Sequence, residues 1–116
     1  MRTFTLHDHK INLELNYNIG GSAKENWNLI DSSKQNDIWF HLEHVSSPHV
    51  VLQIPSDIDL TNISKQTLIH CAVECKNYSK YKGVKKINVI YTEIKNVKKT
   101  DVEGSVTTKK TRTLLV

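Results

Sequence analysis

His41, His44 and His49 lie close together in the chain, and His70, Cys71 and Cys75 form a second group. Imidazoles and thiols can hold zinc or act as base and nucleophile, but each role needs a fixed spacing of partners. No Cys-x-x-Cys pair accompanies the histidines, and no third ligand is set beside them. Cys71 and Cys75 fall four apart on what reads as one helix, which suits core packing better than a bridge or a metal. No catalytic residue, no metal and no cofactor are therefore expected, and the chain reads as a binding protein rather than an enzyme.

A different chemistry is available in Gly20-Gly21-Ser22-Ala23-Lys24. Backbone amides opening a helix, with the Lys24 ammonium in its first turn, suit a phosphate oxygen. The chain has no GxxxxGK[ST], so nucleotide hydrolysis has no support. Trp39, His41 and His49 offer an aromatic ring and imidazoles on one sheet face, where they can stack bases and donate hydrogen bonds to phosphates. The competing reading packs Trp39 beneath a helix and pairs the histidines with nearby backbone. Lys95, Lys98 and Lys99 sit in one charged segment and can reach phosphates without reading sequence; the alternative there is a solvated loop.

The elements that must position these groups follow from periodicity. Residues 3–6 and 11–17 read as a hairpin turning at His7-Asp8-His9-Lys10, with Ile11, Leu13, Leu15 and Tyr17 on its apolar face. Ser22 and Glu25 fit a capping box, Glu25 reaching back to the Ser22 amide, for a helix over about 23–31 with Trp27 and Ile30 inward. Asp37–Leu42 and His49–Ile54 read as a second hairpin, with Ile38, Phe40 and Leu42 facing opposite to Trp39 and His41; Pro55 ends it. Ser64 starts a helix over 64–79 whose stripe contains Leu68, Ala72 and Cys75, with Gly83 marking the exit. A strand over Ile87–Thr92 follows, then a charged loop over 93–104, then a tail from Ser105 that alternates loosely as a final strand. The fold class expected is α+β: a mixed or mainly antiparallel sheet built from hairpins, with two helices packed on one face.

The totals agree with a single domain over residues 1–116. No stretch approaches the roughly 20 apolar residues of a membrane span, and residues 1–8 lack the apolar core of a signal peptide. No membrane partner is expected, and a cytoplasmic location follows, with two unbridged cysteines suiting a reducing compartment. Charge is asymmetric: residues 1–75 carry 5 Lys/Arg against 9 Asp/Glu, and residues 76–116 carry 11 against 3. A basic third of this kind points to a polyanion partner, or, as the alternative, to an acidic protein met by an adaptor.

Several of these residues also carry a resemblance. Asp37-Ile38-Trp39-Phe40-His41, then Ser47-Pro48-His49-Val50-Val51-Leu52, resemble the signature of the NFACT-R domain family. Gly21-Ser22-Ala23-Lys24-Glu25-Asn26 is similar to its upstream segment, and Val89-Ile90-Tyr91-Thr92 with Val97-Lys98-Lys99 to its downstream one. The wording looks closest to the family's standalone eukaryotic form. The resemblance implies an RNA-binding module of the kind found in ribosome quality control, with tRNA or rRNA, and through it the large ribosomal subunit, as partners. It also implies Lys24, Asn26, His41, His49, Lys98 and Lys99 as contacts, gathered with the other lysines into one cradle. Gln53 departs from the family's arginine at that position, and Pro48 from a small residue. The further domains of the larger family members are absent from this sequence, so a partner protein would have to supply what they do.

Overall fold

In the second strand, Leu15, Tyr17 and Ile19 are buried while Glu14 and Asn16 face solvent, the period of two that a half-buried strand imposes. The computed structural model, which describes all 116 residues, pairs this strand β2 (Leu13–Ile19) antiparallel with β1 (Arg2–Asp8), from Arg2 opposite Ile19 to Asp8 opposite Leu13. The turn thus falls two residues later than the sequence suggests. Asp8 is the cause: its carboxylate accepts from the Lys10 and Ile11 amides (2.9 and 3.1 Å) and, on its other oxygen, from Ser64 N–H (2.9 Å). Asn12 takes the left-handed conformation (φ 54°) that closes the turn, a conformation asparagine tolerates. Leu13, expected inward, lies at this open end and is exposed.

Helix α1 (Ala23–Ser32) begins at Ser22, whose hydroxyl accepts from Glu25 N–H (3.2 Å). The Glu25 carboxylate accepts from Gly21 N–H (2.8 Å) rather than from the expected Ser22 amide. Its buried residues are Asn26 and Leu29; Trp27 and Ile30, expected inward, are only half-buried. Strands β3 (Ile38–Leu42) and β4 (Val50–Leu52) form the expected hairpin, with Phe40 opposite Val50. Helix α2 (Lys65–Asn77) starts at Ser64 as expected and buries Leu68, Cys71, Ala72 and Cys75. Its cap is Tyr78, so Gly83 lies beyond the exit. Strand β5 (Asn88–Glu93) pairs with β3.

The chain beyond β5 is more ordered than expected. The charged segment forms a 3-10 turn (Ile94–Asn96) and β6 (Val97–Lys99), which pairs with β7 (Val106–Thr108); β8 (Arg112–Leu115) then joins the main sheet beside β5. Ile94 and Val97 are buried, and the Ile94 and Lys95 amides donate to the Asp37 and Gln35 carbonyls (2.8 and 3.0 Å). These contacts pin what charge alone suggested was a loop.

The main sheet runs β1-β2-β4-β3-β5-β8 with every pairing antiparallel, so the fold is α+β. The helices do not share a face. Ile38, Phe40, Leu42, Val50 and Leu52 pack with α2, whereas Trp39 and Val51 pack with Leu29 of α1 and with Ile94 and Val97. β3 and β4 are therefore buried on both faces, which is why their sequences run almost continuously apolar instead of alternating. No helix is long and apolar enough to cross a membrane.

Candidate nucleic-acid interface

The residues that looked most like base contacts form the second core instead. Trp39 and His49 are each 1% exposed. Trp39 Nε1–H donates to His49 Nδ1 (3.0 Å), and the His49 backbone N–H donates to Asn26 Oδ1 (3.2 Å). With Nδ1 accepting, the ring proton of His49 sits on Nε2. Burial, assisted by the neighbouring His41 ring and only partly opposed by the Gly104 contact, pushes His49 down to about 3, so it is neutral near pH 7. Asn26 is buried as well, and a side chain on Gly20 would overlap its Oδ1, so only glycine lets the two approach. Trp39, His49 and Asn26 thus hold β3, β4 and α1 together and keep almost no surface for a ligand. This corrects the expectation that they contact RNA.

Asp37, first residue of the same motif, has a similar role. Its carboxylate accepts from Lys34 N–H (2.8 Å) and Ile54 N–H (3.1 Å), and Lys34 Nζ stands 3.1 Å away. Three of the most distinctive motif residues therefore specify the fold. His41 is the exception: half-buried, its ring stacks on Trp39 (centroids 5.6 Å, 9° between planes), and its Nδ1 is paired with the Leu42 carbonyl. Burial pulls its pKa below the usual histidine value despite that carbonyl.

The lysines divide. Lys24 is exposed on the first turn of α1. Three residues on, and so on the same helix face, Trp27 lies half-buried, its indole N–H donating to the Ser105 carbonyl (3.1 Å). Lys99 Nζ sits 5.2 Å from the centre of the Trp27 ring and 2.7 Å from Asp31 Oδ1. Lys24, Trp27 and Lys99 accordingly form one patch where α1 meets the β6–β7 hairpin. Lys98 is adjacent to Lys99 in a strand and projects to the other face. There, with Lys95 and Lys109, it borders a separate shallow depression of about 140 Å³. The single cradle is in this respect two basic patches on either side of a hairpin.

The expected phosphate cradle at the α1 N-terminus is also partly filled from within. The Gly21 amide is taken by Glu25, whose carboxylate in turn pairs with the Met1 ammonium at 3.0 Å. Trp27, Lys109 and Ser105 were not singled out from sequence. Trp27 had a usable signal, three residues after Lys24 on one helix, but its neighbour Lys99 arrives from far along the chain.

Cys71 and Cys75 are buried and free, and burial raises both thiols, Cys75 to about 12, as expected of core residues rather than nucleophiles.

The family described as NFACT protein RNA binding domain matches residues 12–110 of this chain. Coiled-coil domain-containing protein 25 from Danio rerio is 40% identical to it over 84 residues, and that from Mus musculus 38% identical over 84 residues. Each match covers 71% of this chain but 40% of the relative, so the chain spans less than half the length of these curated relatives. The solved C-terminal structure of the fibronectin/fibrinogen-binding protein from Streptococcus suis matches with a TM-score of 0.80 at 21% identity, covering 100% of this chain and 45% of that one. That likeness is one of fold.

Proposed function

The chain belongs to the NFACT protein RNA binding domain family, and from that premise we propose that it is an RNA-binding module without catalytic activity, acting in the cytoplasm on tRNA or rRNA. The large ribosomal subunit is then its natural site of action and translation or ribosome quality control its process, with a partner protein supplying further domains.

One observation carries the reading beyond family membership: Trp27 is half-exposed on the helix face it shares with Lys24, with the Lys99 ammonium over its ring. A half-exposed indole beside ammonium groups can stack a base while those groups meet neighbouring phosphates, Lys99 exchanging its Asp31 partner for one of them. The basic patch of Lys95, Lys98 and Lys109 across the hairpin extends the cationic surface.

Fluorescence titration tests this directly. Trp39 is sealed in the core, so quenching on addition of tRNA or rRNA fragments reports Trp27. Binding is expected at low salt, weakening linearly on a log–log plot as salt rises, because phosphate contacts release counterions. Absence of binding at low salt refutes the proposal. A pull-down of an acidic protein that survives nuclease treatment would favour an adaptor role instead.

A further inference from the structure

Between the β3–β4 loop and the β6–β7 hairpin lies a cleft of about 340 Å³, within the size range of ~300–1,000 Å³ typical of small-ligand sites. We propose that this cleft receives one unstacked nucleobase of the bound RNA. The inference rests on the RNA reading above and adds a specific subsite to it.

The lining decides the ligand. No lysine or arginine borders the cleft, so no fixed cation in it holds a phosphate. Val45, Ile90 and Val106 supply apolar walls, and Ser46 and Thr108 supply hydroxyls. Among the imidazoles bordering the cleft, His41 has Nδ1 committed to the Leu42 carbonyl, whereas its Nε2 has no partner and is not sealed from solvent. With Nδ1 carrying the proton, Nε2 is an acceptor, and each RNA base has an N–H on its pairing edge to offer it.

The position of the cleft fits a chain passing over it. Gly104 and Ser105 form its rim, and the Ser105 carbonyl is the group that accepts from Trp27. The cationic patch of Lys24, Trp27 and Lys99 therefore stands directly across that rim. A backbone held on the lysines can lay one base against Trp27 and drop another over the rim towards His41. The floor is preorganised, because Trp39 stacks beneath His41 and the His49 ring packs edge-on against both. A fully paired duplex has no free base to supply, so single-stranded RNA or a loop is the ligand class.

The test compares a labelled oligouridylate with the same oligomer made of abasic residues, by fluorescence anisotropy at low salt. The native protein is expected to bind the base-bearing oligomer roughly tenfold more tightly. Two variants separate the cleft from Trp27. His41→Ala removes the acceptor, and Ser46→Trp fills the cleft from an exposed rim position without touching the buried network. Each should narrow the ratio at least about threefold. If His41→Ala fails to fold by circular dichroism, Ser46→Trp alone decides. A ratio that survives in the folded variants overturns the cleft assignment and leaves RNA binding standing. Failure of the native protein to bind either oligomer removes the RNA reading and the cleft assignment with it.

Discussion

Replacing His49 with glutamine should flatten the acid limb of this protein's stability profile. In the folded state His49 is 1% exposed, accepts from Trp39 Nε1–H and is held down at about 3; in the unfolded chain it titrates near the ordinary 6.5. Between these values the unfolded state binds a proton that the native state refuses. Stability therefore rises with pH in that window and falls as pH drops. Each pH unit below 6.5 removes about 1.4 kcal/mol, so acidification from pH 7.5 to 5 should remove about 2 kcal/mol through this residue alone. That is a large share of the roughly 5–15 kcal/mol that holds a domain folded. Glutamine has an oxygen to accept from Trp39 and an N–H to face Gly104, yet it does not titrate. Urea melts of both proteins at several pH values give the comparison. The native protein should lose most of its stability change between pH 6.5 and 5. The His49→Gln variant should retain only the shallower slope left by His41, whose pKa is also depressed by burial. Equal slopes for the two proteins would refute the assignment of a neutral, buried His49 as the acid-sensitive group.

Two further outcomes follow from the same geometry. Replacing Lys24 and Lys99 together by alanine should weaken RNA binding evenly across sequences and lower the log–log salt slope by about 2, against about 1 for either alone; an unchanged slope would place the phosphates elsewhere. Gly104→Ala forces a side chain into the left-handed region (φ 84°), with its Cβ 2.7 Å from that of Ala23. The backbone strain alone costs about 1–2 kcal/mol. The β6–β7 hairpin should lift from α1, seen as faster proteolysis around 100–105 and loss of Trp27 quenching by RNA; protection equal to the native protein would contradict that docking.

Much of the local structure was legible. Ser22 and Ser64 cap the two helices as their spacing indicates, and the aromatic and β-branched runs at 37–42 and 49–54 mark the central hairpin. The stripe of Leu68, Ala72 and Cys75 correctly faces the core. The candidate site was less so. Trp39 and His41 sit two apart on one strand face, and nothing in their spacing says that one is sealed and the other opens on a cleft. Trp39 is sealed because Leu29, Ile94, Val97 and Val106 pack in one cluster with it, a cluster that does not include His41.

Composition and periodicity alone determined the α+β class, the order of the main strands and helices, and a basic C-terminal third, because these depend on residues near one another in the chain. The opposed placement of the helices, the burial of Trp39 and His49, and the separation of Lys98 from Lys99 were decided only by tertiary structure. The helix placement depends on which face of β3 and β4 each helix covers, and the rest on where residues 94–108 dock, set by contacts such as Trp27 with Ser105, 78 residues apart, for which no local pattern exists.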